Sequence, residues 1–355
     1  MKTLAHILLA AVIIVSCSKI DTAFEAPQEI SFKAVAGNIT KAPVSGVAYP
    51  NSLNLYVNAY TTDISSDAET PNYFINGEFT HKDYTINNID VWGGVTPYYW
   101  PNVKKLHFVG FSKSGNATNT NATYSPKDDL LTIEQYSPGT TSGSGTNDLM
   151  YFPSTKLTNT NGYGADTEFV TVYMYHTCSW ISFFVKGDNV TDDGSYSVIQ
   201  MSMTDIINTA DVNCRAEFSI VDNLEVLTPD IVWTNYSEEK NTYPINVLKN
   251  GVTLYTNARN VETGEAYSSS NKITGGNIVV IPQVPGKLNL TYKYGTTEKT
   301  VEDLDLTYAT DSDGNSIPWQ PGKHYIYTIT IKANEILIAP SPVDWTDTDW
   351  NVTVE

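Results

Sequence analysis

The feature that most constrains this chain is strict period-two alternation in its apolar residues. Leu53, Leu55, Val57 and Ala59 alternate with Asn54, Tyr56, Asn58 and Tyr60. Near the other end, Tyr325, Tyr327, Ile329 and Ile331 alternate with Ile326, Thr328, Thr330 and Lys332. Successive side chains of a strand point to opposite faces, so this pattern predicts strands with one face buried and one wet. The intervening sequence is rich in Tyr, Thr, Val, Asn and Gly, the residues of strands and the turns joining them. No amphipathic helix longer than two or three turns is evident. The expected fold is all-β. The run "EFVTVYMYHTCSWISFFV" is apolar on both parities and predicts one central strand. Two polar stretches, 112 to 129 and 137 to 148, read as surface connections. A turn cluster, "GDNVTDDGS" at 187 to 195, marks the expected domain boundary.

The N-terminus predicts export. Lys2 precedes an apolar run from Leu4 to Val15, then Ser16 and Cys17. The run is too short to span a bilayer as a helix, which takes about 20 apolar residues, and it has the plan of a signal peptide. Cys17 closes it in the manner of a bacterial lipobox and is the expected lipidation site. Beyond it the only cysteines are Cys178 and Cys214. They are either a disulfide in an exported protein or two buried free thiols.

Chemistry-bearing patterns are missing. The histidines His81, His107, His176 and His324 stand singly, and no nucleophile elbow, zinc-protease helix or phosphate loop occurs. The stretch "DSDGNS" (311 to 316) has its glycine at the fourth place instead of the sixth of a calcium loop, and reads as a hairpin turn. No catalytic residue, metal site or cofactor is expected. A formal net charge of -18 repels phosphate backbones and argues against nucleic-acid partners. Aromatics such as those of "VTPYYWPNVKKLHFVGF" lie beside a strand pattern, where packing is the ordinary use. A monomeric surface glycan-binding lipoprotein using them as a platform is an alternative, and a hydrolase with unpaired carboxylates is another.

Two strand patterns flank the whole. Ile30, Phe32, Ala34 and Ala36 alternate with Glu29, Ser31, Lys33 and Val35. At the far end Trp350, Val352 and Val354 alternate with Asn351, Thr353 and Glu355, and Pro340 and Pro342 set this tail off from the strand before it.

In order along the chain, the lipobox at Cys17, "EISFKAVAGNITKAP", "YYWP", "KLHFVGF", "NDLMYFPS", "VTVYMYHTCSWISFFVKG", "GNIVVIPQ", "LNLTYKYG" and "WQPGKHYIYTITIKANEILIAPSPVDW" resemble the fimbrillin family of Bacteroidetes type V pili. The resemblance implies two tandem transthyretin-like β-sandwich domains. It implies a signal peptide (1–16), a lipidated lead with a displaceable strand (17–41), sandwiches at 42–190 and 191–339, and a donor-strand tail (340–355). It also implies transport to the outer membrane through lipid on Cys17, and removal of the N-terminal strand by a trypsin-like protease. Other pilin subunits are then the partners, polymerised by donor-strand exchange into a surface fimbria for adhesion or biofilm formation. On that reading Ile30, Phe32 and Ala34 mark the displaced strand, and Trp350, Val352 and Val354 the donor strand. Family stalk subunits are commonly cut at arginine, whereas this chain has none before Arg215; Lys41 is the expected processing site. A stalk role is expected, with tip and anchor roles as alternatives.

Overall fold

The computed structural model describes residues 29–37, 49, 53–63, 69–101, 104–113, 121–139, 148–158, 169–188, 196–221, 224–248, 251–266, 278–332 and 336–344. These form twenty-one strands and no helix. The first nine are β1 (Ser31–Gly37), β2 (Asn54–Asp63), β3 (Glu69–Ile86), β4 (Ile89–Gly94), β5 (Lys104–Lys113), β6 (Asn121–Ser125), β7 (Leu130–Tyr136), β8 (Met150–Thr158) and β9 (Val170–His176). Then come β10 (Ser179–Gly187), β11 (Tyr196–Ile207), β12 (Ala210–Val221), β13 (Leu224–Thr234), β14 (Lys240–Ile245) and β15 (Val252–Thr253). The last are β16 (Arg259–Asn260), β17 (Ile278–Val280), β18 (Lys287–Tyr294), β19 (Thr297–Asp305), β20 (Lys323–Ile331) and β21 (Ile336–Asp344).

Seven strands close into a barrel in the order β1-β4-β3-β2-β5-β8-β9. Its interior is filled by the inward parity of each strand, including Leu55, Val57 and Ala59 of β2, Phe79 of β3 and Phe108 of β5. Toward the C-terminus two five-stranded sheets face each other. One holds β16, β17, β10, β20 and β21; the other holds β14, β15, β11, β18 and β19. Ile181, Phe183, Tyr327 and Ile329 of the first meet Val198, Met203, Leu288 and Leu290 of the second in one core, which makes this half a β-sandwich.

A fourth sheet, in the order β13-β12-β7-β6, joins the two halves. Its Leu131, Ile133, Val212 and Trp233 share a core with Val109 and Tyr151 of the barrel wall and with Trp180 and Val279 of the sandwich. Sheet membership therefore crosses the expected boundary at 187 to 195. Strand β7, which lies before it and carries β6, pairs with β12 after it, and β10 pairs with β20 over eight residues, from Trp180↔His324 to Gly187↔Ile331.

Three sequence expectations need correction. The apolar run around 168 to 185 is two strands, because at Thr177–Cys178 the chain leaves the barrel and enters the sandwich. The second strand is covered on both faces over most of its length and the first from Met174 onward, so parity carries no sign of the switch at the joint. The stretch 112 to 129 contains a strand, β6, whose Tyr124 is buried against the joining sheet's core. Finally, Pro340 and Pro342 do not end a strand: β21 runs through both, opposite Tyr327 and Tyr325. Being two residues apart, they share one side of the ladder, and their missing N–H groups face away from β20.

The described histidines all have partners. His81 meets Asp90 at 3.1 Å and His107 meets Tyr60 at 3.2 Å. Cys178 and Cys214 are free, buried thiols, and burial pushes both above the ordinary range. The 311 to 316 stretch is a tight turn. The Asp311 carboxylate accepts from the backbone N–H groups of Asp313 and Asn315 and from the Asn315 amide.

His324 gives a pH test. Its ring lies flat on Trp180, with centroids 3.6 Å apart, and Nε2 meets Ser182 Oγ at 2.9 Å. Burial lowers its pKa from 6.5 to about 3. Between those values the unfolded chain binds a proton that the folded chain refuses. The stability held here is complete above pH 6.5 and falls as pH drops toward 3, by up to about 1.4 kcal/mol per pH unit. His324→Phe should flatten that slope in denaturant titrations at pH 7 and 4.5. Equal slopes in the two proteins would remove His324 as its source.

Candidate assembly groove

Strand β1 occupies an unusual place. It pairs antiparallel with β4 (Ser31↔Gly93, Phe32↔Trp92) and parallel with β9 (Phe32↔Val170 through Gly37↔Tyr175). The other pairs of the barrel are antiparallel. Neither neighbour is joined to β1 by a hairpin, since β4 begins at Ile89 and β9 at Val170. The barrel wall is thus completed by a strand that is local to neither side of its slot.

Its inward parity is the one expected from the alternation. Ile30 and Phe32 are fully buried, and Ala34 is 4% exposed. Phe32 sits in an aromatic box: the Phe79 and Phe108 rings meet it edge-on at 4.9 and 5.2 Å, and Phe152 lies at 6.1 Å. On the other face Ser31 and Val35 are also buried, and Lys33 is half-buried.

A strap holds the start of the strand. Ile30 N–H donates to the Tyr98 carbonyl at 2.7 Å, and Glu29 bridges Tyr99. The strap packs closely: the Tyr98 ring stacks on Phe79 at 5.7 Å, and a Cβ on Gly77 would lie 2.7 Å from the Tyr98 hydroxyl. Trp100 meets Phe108 edge-on at 5.8 Å. Tyr98 and Trp100 of the "VTPYYWP" stretch therefore serve packing, while Tyr99 is exposed. Among the described residues no tryptophan is exposed.

Outside the strand, Gly93 leaves room that Lys82 takes. A Cβ at Gly93 would lie 2.2 Å from Lys82 Cε, 3.1 Å from its Nζ and 3.4 Å from Glu29 Oε1. Lys82 Nζ also donates to the Gly94 carbonyl at 3.0 Å. Sequence reasoning missed this cation, because only the β3–β4 pairing brings it over the residue opposite Ser31.

Of the expected site residues, Ile30, Phe32 and Ala34 come together on β1. Cys17, Lys41, Trp350, Val352 and Val354 lie outside the described residues. Among the described residues no cluster of His, Cys, Asp and Glu is arranged to hold a metal.

A family model described as fimbrillin-like matches residues 40–350. The chain belongs to the fimbrillin-like family. Among solved structures, a fimbrial protein from Bacteroides vulgatus shares 16% identity with a TM-score of 0.50, covering 90% of this chain and 100% of that one. A proposed cell adhesion protein from Bacteroides uniformis shares 14% identity with a TM-score of 0.48, covering 90% of this chain and 99% of that one. No curated protein matches the chain. At 16% identity the likeness of the fimbrillin-like chain to the Bacteroides vulgatus protein is one of fold.

Proposed function

We propose that this fimbrillin-like chain is a structural pilin subunit and not an enzyme. It is exported as a lipoprotein acylated at Cys17 and carried to the outer membrane. There a trypsin-like protease cuts after Lys41, and the subunit polymerises by donor-strand exchange into a surface fimbria serving adhesion or biofilm formation. One observation carries the reading: β1 is bonded on both sides and buries Ile30 and Phe32 completely, yet no hairpin ties it to either neighbour. One cut in the segment between β1 and β2 turns it into a separate peptide held by non-covalent contacts alone. Its loss opens an apolar slot flanked by two unpaired strand edges, which recruits a matching strand. The tail from Trp350 to Val354 has the alternation to fill such a slot, and that favours a stalk role over a tip.

The test is a trypsin time course on the chain from Ser18 onward, read by mass spectrometry and electron microscopy. A second protein ends at Pro342. The expected result is cleavage after Lys41 and filaments only when the tail is present. Cleavage there with the tail intact and no assembly would rule out shaft building.

A further inference from the structure

If β1 is exchanged as proposed, its slot sets conditions on the replacement, and the register of the entering strand rests on that exchange. The first condition is continuous N–H supply. A strand bonded on both sides turns each N–H toward one neighbour or the other, and proline has none to give. The segment through Pro340 and Pro342 therefore cannot fill it. That segment lies on β20 in any case, where both prolines face the free side. Only the residues beyond Pro342 remain as donors from this part of the chain.

The second condition is the order of side chains. The Phe32 position is an aromatic box, and the Ala34 position takes a small residue opposite Val172. The third is charge. The residue at Ser31's position faces Gly93, over which Lys82 lies beside Glu29. Cleavage after Lys41 removes Glu29 together with β1 and leaves Lys82 without that carboxylate.

We propose that the tail of a second copy enters parallel to β9 with Trp350 in the Phe32 box. Asp349 then takes the place of Ser31 and brings a carboxylate to Lys82. Val352 takes the place of Ala34, Thr353 that of Val35, a near match in shape, and Thr348 that of Ile30. The added volume of Trp350 and Val352 is offset in part by the smaller Thr348.

The alternatives are worse. A slip of one residue turns Asp349, Asn351 and Thr353 into the core. A slip of two that puts Trp350 at Ile30 leaves valine in the aromatic box and sets Glu355 at the position of Val35, which is 8% exposed. The opposite slip drives an indole into the space of the Ala34 methyl, an overpacking error.

The register is read with cysteine pairs in the processed full chain. Thr171 is exposed and stands opposite Lys33, so it should face Asn351 of the entering strand. The native thiols are buried and do not compete. Thr171→Cys in one copy, mixed with a second copy carrying Asp349→Cys, Asn351→Cys or Thr353→Cys, should form its dominant intermolecular disulfide with Asn351→Cys. Separately, Lys82→Glu should slow assembly at least about two- to fivefold, the range an exposed ion pair already gives, since Lys82 is half-buried. Asp349→Lys in the same polymer should restore the rate, and high salt should shrink the difference.

Dominant cross-linking by Thr353→Cys or Asp349→Cys, or by none of the three while the unmodified chain assembles, overturns the register and leaves strand exchange standing. Failure of the unmodified chain to assemble after cleavage overturns both.

Discussion

Replacing Phe32 by alanine should destabilise the uncleaved chain by about 3–5 kcal/mol, the range for deleting a buried aromatic ring from a packed core. The ring is fully buried and is met by Phe79, Phe108 and Phe152, which stand on three other strands and cannot all close the gap together. Lys33→Ala on the same strand is the control. Its side chain is only half-buried and points the other way, so its change should stay within about 0.5 kcal/mol. Denaturant titrations of both variants read the difference directly. A Phe32→Ala loss no larger than that of Lys33→Ala would mean that β1 adds little to the barrel. The proposed exchange would then lack a driving force, because an apolar slot is worth refilling only in proportion to what its first occupant buries.

Inward strand faces were legible in the sequence where apolar residues alternate, even where the other face, as at Asn58, Tyr60, Ser31 and Val35, is buried too. The parities of Leu55 to Ala59 and of Ile30 to Ala34 are local, and the structure buries them as the alternation requires. The joint at Thr177 was not legible. Around it both faces are covered, from Met174 on β9 through most of β10, and the break is set by Leu149 and Trp233, which are distant in sequence. Strand β6 escaped notice because Asn121, Thr123 and Ser125 dilute its two inward residues, Ala122 and Tyr124, to a loop-like composition. The prolines of β21 were misread because their tolerance depends on which side of the ladder is free, a fact about β20. The groove was half visible. Its strand has a sequence pattern, but its parallel partner β9 and the lysine above Gly93 arise only from pairing between distant segments.

The other large effect is expected at the point where barrel and sandwich meet. His176 ends β9, and its Nδ1 lies 2.5 Å from Asp148 Oδ2, each side chain only 1% exposed. Thr177 follows at once, and its N–H and hydroxyl both donate to the Leu149 carbonyl at 2.8 and 2.7 Å. The Trp233 indole donates to the Thr177 carbonyl at 2.8 Å, and the Gly322 N–H donates to the Cys178 carbonyl at 2.8 Å. The two-residue link is thus fastened by the barrel, the joining sheet and the sandwich at once. Removing one member of a buried, hydrogen-bonded pair leaves the other desolvated, and such losses run to about 3 kcal/mol, more where a charge is stranded. Asp148→Ala and His176→Ala should each approach that figure. Asp148→Leu combined with His176→Phe should cost less than the sum of the corresponding single changes, because neither member is then left facing a lost partner. The double-mutant cycle, run by denaturant titration with fluorescence, measures the coupling. Additive single losses would show that each residue serves packing alone. A large coupling would identify the pair as the fastening of β9, the strand beside the proposed slot, and so explain how the barrel holds its shape while β1 is absent.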